Sequence, residues 1–428
     1  MKHKTRFVCS LFTLMGLVAL PQGVDSSETP KTPGLSLRGS SEQEIDSLSL
    51  KLEKIAIEST IPGFGVAVVH KDRILYKGGF GYADIEQKVP YTDSTIHNIG
   101  STTKTLIAFS LMKLVEEGRM QLDDPINKYL PFSIKNPYFP ATEITIRQLA
   151  THTSSLTDGK EDMLIERTYL FQGDIDFDKK ELPDEYYPYF KIYRSNKKVS
   201  LKKFLKYSYT EGGLWYEKEN FLNDKPGTTY KYSNLASALL AYIIERTVKM
   251  KFSDYAKKEV FGPLKMYTSY WRLKNIPSRQ LASLYMSNGL KIPHYELITY
   301  PDGGLFTTVS DFSAFLIEMI KGLNGDGTLL STKSYKEMMT NQLTAANFPD
   351  ATFEISKGLF WSVNKDGDNI SMNGADPGIL SYTLFTTQGN VGIVIFMNNS
   401  IYDNEELESD FKKIRATLFQ NAKRLLDK

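Results

Sequence analysis

Cysteine and histidine are scarce in this chain, and their scarcity excludes several kinds of catalytic site. The 428 residues include one cysteine, Cys9, and five histidines. Cys9 lies in an N-terminal segment that we expect to be removed, so neither a disulfide nor a catalytic thiol is predicted. No two histidines have zinc-ligand spacing, and the His-Glu-x-x-His motif is absent. We therefore expect no metal and no organic cofactor.

Several other sequence signatures are also missing. The Gly-x-Ser-x-Gly motif of the α/β-hydrolases is absent, and so are the glycine-rich loops that bind phosphate. A Ser-His-Asp site would have to recruit His97 or His152 as its base. Without the three basic residues of the N-terminal segment, 49 basic residues balance 50 acidic ones. This balance predicts no nucleic-acid partner.

Long apolar runs are absent except at the N-terminus. Three basic residues within the first six positions precede an uncharged run from Phe7 to Leu20. This pattern is typical of a secretory signal, and the run is too short to span a bilayer comfortably. We predict a signal peptide over residues 1–24, an exported protein that is periplasmic or secreted, and no stable membrane span after cleavage.

The remaining chain is predicted to form a tether and one domain. Residues 25–42 are rich in Ser, Thr, Pro and Gly and indicate a flexible linker. Residues 43–428 are predicted to form a single domain, with a mostly helical subdomain at about 101–300. Within it, an aromatic-rich insertion is predicted at about 157–221. Its aromatic side chains either pack a small core of their own or form a wall that faces the cleft.

Strand patterns occur near both ends of the chain, and helical patterns dominate the middle. The apolar patterns predict terminal helices and two hairpins at 45–57, 65–80, 381–398 and 405–426. We predict an α+β fold in which both chain ends build one antiparallel sheet, flanked by the terminal helices. The inserted helical subdomain then places a site at the junction. Within that subdomain, Asp123-Asp124-Pro125 is typical of a helix start.

One serine and one lysine, three residues apart, introduce an apolar helix. Residues 105–117 place apolar side chains at helical spacing, and the pattern ends at Gly118. Ser101 is therefore expected in the first turn, with Lys104 on the same face. A serine hydroxyl needs a base to become a nucleophile, and a buried lysine can accept its proton. We predict Ser101 as nucleophile and Lys104 as its base.

The Ser-x-x-Lys spacing is common in this chain, so context has to identify the functional pair. It occurs six times, at Ser101/Lys104, Ser110/Lys113, Ser195/Lys198, Ser200/Lys203, Ser362/Lys365 and Ser409/Lys412. At most of these positions a solvated helix face explains the spacing.

A second candidate segment is Tyr232-Ser233-Asn234, which opens an apolar helix at 235–247. If Tyr232 lies near Lys104, the ammonium favours phenolate over phenol, so the tyrosine can accept and return a proton. The alternative is an ordinary helix start in which Asn234 satisfies backbone amides.

These segments together resemble the serine β-lactamase and penicillin-binding-protein superfamily, most closely the class C β-lactamase-like serine hydrolases that include esterases and D-peptidases. The resemblance extends from about residue 60 to 400. It rests on Ile99-Gly100-Ser101-Thr102-Thr103-Lys104, Leu149-Ala150-Thr151-His152-Thr153-Ser154-Ser155-Leu156, Pro226-Gly227 with Tyr232-Ser233-Asn234, and Asp302-Gly303-Gly304-Leu305-Phe306-Thr307-Thr308 with Asp311.

The resemblance implies a role for each matched residue. Ser101 would be acylated, Lys104 would help to deprotonate it, and Tyr232 would shuttle protons. Asn234 would contact a substrate amide or carbonyl. His152 would be structural and not a base.

The third motif of the family departs from its usual pattern here. Gly374 fits the family register and would line the cleft, but Met372 occupies the position where lysine or histidine is usual. A thioether cannot pair with a substrate carboxylate as a cation does. The backbone amides of Ser101 and Ala375 would still form an oxyanion hole, since this needs no side chain. Asn373 would supply a neutral hydrogen bond to substrate.

These inferences predict an exported serine hydrolase that works through a Ser101 acyl-enzyme. Its substrate would be an ester or amide, a D-amino-acid peptide or a β-lactam, in that order, since Met372 weakens the β-lactam assignment. The partner would then be a small molecule or a peptide derived from the cell wall. The alternative is a non-catalytic penicillin-binding-like module that recognises cell-wall peptide.

Overall fold

The computed structural model describes residues 40–426, except 174, 176, 178–180, 183–185, 345–346, 348–354, 365 and 402–403. The predicted signal peptide and most of the predicted linker lie outside the described residues. The first helix begins at Ser40, three residues before the expected start of the domain at residue 43. Glycine has a low helix propensity, and Gly39 directly precedes this helix. Residues 40–42 include neither glycine nor proline, so the helix can begin at Ser40.

The described residues form eleven α-helices, several single turns of 3₁₀ helix and fourteen strands. The helices are α1 Ser40–Glu58, α2 Lys104–Glu116, α3 Ile146–Ala150, α4 Met163–Glu166, α5 Tyr187–Ser195, α6 Leu201–Tyr209, α7 Asn234–Val248, α8 Phe252–Ala256, α9 Val309–Asn324, α10 Thr332–Met339 and α11 Glu405–Leu426. The strands are β1 Gly63–His70, β2 Arg73–Asp84, β3 Val89–Pro90, β4 His97–Asn98, β5 Tyr169–Phe171, β6 Leu284–Tyr285, β7 Lys291–Ile292, β8 Tyr295–Leu297, β9 Phe306–Thr307, β10 Ile355–Lys357, β11 Ser362–Asn364, β12 Asn369–Asp376, β13 Ile379–Thr386 and β14 Val391–Met397.

One eight-stranded antiparallel sheet combines both ends of the chain. Its strand order is β10-β11-β12-β13-β14-β1-β2-β3, and β1 pairs with β14 at the centre. The chain ends therefore meet in the middle of the sheet, which confirms the α+β fold predicted from the sequence. The two hairpins, β1–β2 and β13–β14, also lie where the apolar patterns predict them.

The sheet separates two hydrophobic cores. Val68 and Ile393 are partners on one face and pack with the terminal helices α1 and α11. Their neighbours Ala67 and Val394 are partners on the other face and join the main core beneath the helical subdomain. Both faces of the central strands are thus covered, which explains why β1 is apolar along nearly its whole length.

The middle of the chain is helical but also contains short strands. The buried helices α2, α7 and α9 form the main core beside the sheet. In this part of the chain β4 pairs with β9, and β5 pairs with β8. The Asp123-Asp124-Pro125 segment opens a single 3₁₀ turn, Ile126–Lys128, and Pro125 also forms a β-bridge with Thr145. A helical turn thus starts where the sequence predicts it, but no α-helix follows.

The aromatic-rich insertion contributes to two cores. Tyr169, Phe190 and Tyr193 belong to a separate cluster that also contains residues of β8. Phe204 and Tyr209, on α6, join the main core. The buried aromatics of the insertion are therefore packing residues, and Tyr169 also reaches the site described below. None of the helices that the structure describes is long and apolar enough to cross a membrane.

Candidate active site

Ser101 lies on a 3₁₀ turn, Gly100–Thr103, that leads directly into α2. The turn is held by Asn98, whose Oδ1 accepts a hydrogen bond of 2.7 Å from the Gly100 amide. Gly100 has φ +48°, a conformation that glycine adopts most easily. Helix α2 is buried along most of its length, so the turn has a rigid support. Ser101 itself is partly exposed, and its hydroxyl is presented at the end of this helix.

The Lys104 side chain is fully buried and surrounded by oxygen atoms. Its Nζ donates to Ser101 Oγ at 2.8 Å, to Asn234 Oδ1 at 2.8 Å and to the Asp302 carbonyl at 2.7 Å. Three acceptors match the three protons of an ammonium group. A buried charge held in this way is compensated by hydrogen bonds despite its removal from water. Lys104 is thus placed as a fixed positive charge next to the serine hydroxyl.

Tyr232 and Asn234 approach the same pair from the start of α7. The Tyr232 hydroxyl lies 2.8 Å from Ser101 Oγ, and Lys104 Nζ is 5.3 Å from the centre of the Tyr232 ring. Asn234 is the first residue of α7, and Ser233 caps the helix by accepting from the Ala236 amide. The sequence allowed two interpretations of Asn234, as a residue that starts a helix or as a residue of the site. The structure places it in both positions, since it starts α7 and binds Lys104.

Asp158 anchors the start of α7, although sequence reasoning did not single it out. Its carboxylate is fully buried and accepts hydrogen bonds from Ser233 Oγ at 2.7 Å and from the Leu235 amide at 3.0 Å. It also accepts from the amide and the side-chain Nδ2 of Asn234, both at 2.9 Å. An anion at a helix N-terminus is stabilised by the helix dipole and by free amides. Asp158 therefore positions the segment that carries Tyr232.

We expect Asp158→Ala to destabilise the protein by about 3 kcal/mol, because two buried and two partly buried donors lose their charged acceptor. Urea unfolding followed by fluorescence measures the free energy of unfolding. Asp72→Ala, in the exposed turn between β1 and β2, is the matched control and should change it by less than about 0.5 kcal/mol. Equal effects of the two substitutions would contradict the anchoring role.

The two histidines considered as alternative bases lie in packing positions. His97 is fully buried and stacks on Phe396, with ring centres 6.0 Å apart. His152 packs against Tyr232 at 4.4 Å, and its Nδ1 accepts from the Ser233 amide at 3.3 Å. Burial and then the nearby lysines lower the pKa of His152 well below its usual value, so it is neutral at neutral pH. His152 therefore packs against Tyr232, and its Nδ1 binds the Ser233 amide and not the Ser101 hydroxyl.

Strand β12 approaches the Ser101 turn closely at Gly374. A Cβ atom at residue 374 would lie 2.6 Å from the Ser101 amide nitrogen, so only glycine allows this contact. Ser381 on β13 joins the two elements, because its Oγ donates to the Ile99 carbonyl at 2.6 Å. Ala375 follows Gly374, and its nitrogen lies 3.1 Å from the position of a Cβ on Gly100. The backbone of Ala375 is thus adjacent to that of Ser101.

The other two residues of the third motif differ in their surroundings. Asn373 is partly exposed on β12 opposite Tyr382 of β13. Met372 is 4% exposed and belongs to the main core, so it brings no charge to the site. Sequence reasoning missed a buried cation near this motif, Lys357, whose Nζ donates to Ser362 Oγ at 2.6 Å. Lys357 on β10 pairs with Ser362 on β11, and Ser362 pairs with Ser371 on β12. Ser371 is the residue before Met372.

Two acidic residues belong to segments that contact the Ser101 turn or Lys104. Asp302, whose carbonyl binds Lys104, has a carboxyl group that is almost completely buried. Burial raises the pKa of Asp302 well above its usual value, Lys104 opposes this rise, and Asp376 adds to it. Asp376, at the end of β12, accepts a hydrogen bond from the Tyr169 hydroxyl. Both aspartates lie in segments that the sequence singled out, but Tyr169 carried no signal beyond the aromatic composition of the insertion.

This arrangement can activate a hydroxyl without a metal ion. Ser101 Oγ has a buried ammonium and a phenol within hydrogen-bond distance, and backbone amides lie nearby. Among the residues that the structure describes, no group of three or more His, Cys, Asp and Glu side chains has the geometry of a metal site.

Comparison with known proteins identifies the same family along most of the chain. The family model described as Beta-lactamase matches residues 49–418. Protein flp of Staphylococcus aureus (strain COL) is 24% identical over 373 residues, which cover 86% of this chain and 65% of that protein. The human serine beta-lactamase-like protein LACTB, mitochondrial, is 27% identical over 329 residues, which cover 69% of this chain and 60% of that protein. The chain thus spans less than two thirds of the length of these relatives.

Solved structures share the fold. A structure of the octameric penicillin-binding protein homologue from Pyrococcus abyssi has a TM-score of 0.64 and 23% identity, covering 88% of this chain and 77% of that chain. A class C beta-lactamase has a TM-score of 0.62 and 19% identity, covering 89% of this chain and 98% of that chain. From the family match, together with this shared fold, we conclude that the chain belongs to the beta-lactamase family.

Proposed function

We propose that this protein is a serine hydrolase that works through an acyl-enzyme on Ser101. The observation that carries the proposal is that Ser101 Oγ lies 2.8 Å from both Lys104 Nζ and the Tyr232 hydroxyl. A hydroxyl between a fixed cation and a group that can exchange a proton is poised to attack a carbonyl carbon. The family match supports serine hydrolase chemistry in general.

In the first step, the Ser101 proton moves to Tyr232 or Lys104 while Oγ forms a bond to the substrate carbonyl carbon. The three acceptors around Lys104 Nζ favour its ammonium form, so Tyr232 is the better acceptor. The nearby ammonium stabilises the negative charge that such a tyrosine carries. The proton then passes to the leaving group as its bond to carbon breaks. Water attacks the acyl-enzyme by the reverse sequence of proton transfers.

The negative charge of the tetrahedral intermediate needs hydrogen-bond donors that are already in place. The amides of Ser101 and Ala375 are the proposed donors, and the contact of β12 with the Ser101 turn at Gly374 supports this assignment. Asn234 and Asn373 are proposed to bind amide or carbonyl groups of the substrate. Asn234 is already oriented by Asp158 and Lys104, so it would bind substrate without reorganisation.

We further propose that the substrate is an ester or amide whose binding needs no cationic side chain at residue 372. A charge-assisted contact contributes about 1.5–3 kcal/mol, or roughly tenfold to a hundredfold in affinity. Met372 is buried in the main core and cannot supply such a contact. Peptides of D-amino acids rank second, and β-lactams third. The N-terminal pattern of the sequence supports action outside the cytoplasm.

Covalent labelling tests this proposal. The protein is incubated with a fluorophosphonate and, separately, with a penicillin, and the mass shift and labelled peptide are determined. We expect a fluorophosphonate adduct on Ser101 and a weaker or absent penicillin adduct. Failure of both reagents to label folded protein would support the alternative, a non-catalytic module that binds cell-wall peptide. An adduct on a serine other than Ser101 would exclude the mechanism proposed here.

A further inference from the structure

A carboxylate oxygen lies beside the nucleophile and is not used by the proposed mechanism. Asp376 Oδ1 accepts a hydrogen bond from the Tyr169 hydroxyl. Asp376 Oδ2 lies 3.1 Å from the position of a Cβ on Gly100, the residue before Ser101, and 3.4 Å from that of a Cβ on Gly303. This oxygen accepts no hydrogen bond from the residues that the structure describes, and Asp376 is only partly buried. It is therefore an unpaired oxygen close to the turn that carries Ser101.

The charges around this oxygen favour a positive ligand. Lys104 is the cation whose charge acts on Asp376, but its nitrogen is occupied by three other oxygen atoms. The Asp302 carboxyl is 1% exposed, and its Oδ1 has no hydrogen-bond partner among the described residues. Asp158 adds a third buried carboxylate behind Asn234. With Lys104 occupied in this way, the unpaired Oδ2 of Asp376 would attract a cation and repel a substrate carboxylate.

We propose that Asp376 makes this enzyme prefer acyl groups that carry a cationic amine near the scissile carbonyl. The inference rests on the proposed Ser101 acyl-enzyme and names the substrate class for that site. The place of Asp376 in the chain explains why the preference concerns the acyl group. Asp376 follows Ala375, the proposed oxyanion donor, and we place its ligand on the acyl group, whose carbonyl oxygen that amide would bind. An ammonium there would pair with Oδ2, and Tyr169 would keep the carboxylate in place through Oδ1.

Two p-nitrophenyl esters of equal shape measure this preference. One is the ester of γ-trimethylammonio-butyrate, and the other is its carbon isostere, in which a tert-butyl group replaces the trimethylammonium. The readout is the ratio of kcat/KM for the cationic ester to that for the neutral ester. We expect Asp376→Asn to lower this ratio about tenfold. The trimethylammonium donates no hydrogen bond, so the change removes only a charge–charge attraction, which is stronger at a partly buried carboxylate than between fully exposed groups.

The ratio cancels any general loss of folding or activity, since both esters are measured on one preparation. Asp376→Glu keeps the charge and should keep the ratio within about threefold of the wild-type value. An unchanged ratio in Asp376→Asn would overturn the proposal, and so would an equal loss in both variants. Ser101→Ala separates the two levels of inference. Hydrolysis that survives this change refutes the acyl-enzyme itself, whereas an unchanged ratio refutes only the role of Asp376.

The preference should also depend on pH. Burial raises the pKa of Asp376 to about 6, while Tyr169 and Lys104 hold it down. The carboxylate is present above this pH and lost below it, and the quaternary ammonium keeps its charge throughout. We expect the ratio to fall as the pH drops through about 6. The other titratable groups that act on or are acted on by Asp376 are Glu166, Tyr193, Tyr295 and Asp302.

Glu166 is the group most easily confused with Asp376 in such a titration. Burial raises the pKa of Glu166 to about 8, and its carboxylate accepts a hydrogen bond of 2.5 Å from the Tyr193 hydroxyl. A midpoint near 8, or one near 6 that persists in Asp376→Asn, would contradict the assignment to Asp376.

Discussion

Ser101→Ala is expected to lower kcat/KM for a p-nitrophenyl ester by about ten-thousandfold or more. The change removes the Oγ atom that both Lys104 Nζ and the Tyr232 hydroxyl contact at 2.8 Å. Background hydrolysis by the remaining donors is small, because no acyl-enzyme can form. Steady-state kinetics gives the rate, and intact mass after fluorophosphonate treatment shows whether an adduct remains.

The chain offers a matched control on the same helix. Ser110 lies on α2, is fully buried and precedes Lys113 with the same spacing. Its Oγ has no hydrogen-bond partner among the described residues, so Ser110→Ala removes a hydroxyl from the core without breaking a contact. We expect this variant to keep its activity within about twofold, since it removes none of the hydrogen bonds around Ser101. If both serine variants lost activity equally, the loss would report damage to α2 and not a nucleophile.

Lys104→Met is expected to lower kcat/KM on the order of a thousandfold, because it removes the cation that allows Tyr232 to accept the Ser101 proton. Methionine fills nearly the same volume in this fully buried position. The substitution leaves Asn234 Oδ1 and the Asp302 carbonyl without their donor and removes the cation beside Tyr232. The rate constant of fluorophosphonate labelling should fall with kcat/KM, because both report the reactivity of Ser101.

Lys113→Met is the control for this substitution. Lys113 Nζ is near the Leu329 carbonyl and Glu259, at 3.5 and 4.0 Å, and lies three positions after Ser110. Its loss should leave the labelling rate unchanged within about twofold, since such partly exposed pairs contribute little. Wild-type labelling rates in Lys104→Met would show that Tyr232 alone activates Ser101 and would remove Lys104 from the mechanism.

Much of the fold could be predicted because its signals are local. The last helix, Glu405–Leu426, has the predicted bounds, and β1 and β2 extend the predicted strands by a few residues. Both depend on apolar spacing within a single segment. Only a single 3₁₀ turn follows Asp123-Asp124-Pro125, and the bridge between Pro125 and Thr145 joins residues that sequence spacing cannot connect.

The candidate site divides in the same way. Ser101 and Lys104 were predicted from one turn of chain, and their atoms lie 2.8 Å apart because helical spacing brings them to one face. Tyr232 is 131 residues from Ser101 and Asp376 is 207 residues from Tyr169, so no local pattern predicts those contacts. Lys357 was missed for a similar reason, since its position depends on the pairing of β10 with β11.

The amino-acid sequence alone determined the four strands of the two hairpins, the terminal helices and the Ser101–Lys104 pair, because each depends on the periodicity of a short segment. The tertiary structure decided which groups surround that pair. Asp158 holds the start of α7, Gly374 lets β12 approach the Ser101 turn, and Tyr169 orients Asp376. These contacts cross the boundary between the sheet and the helical subdomain, where packing of the two cores, and not spacing along the chain, sets the distances.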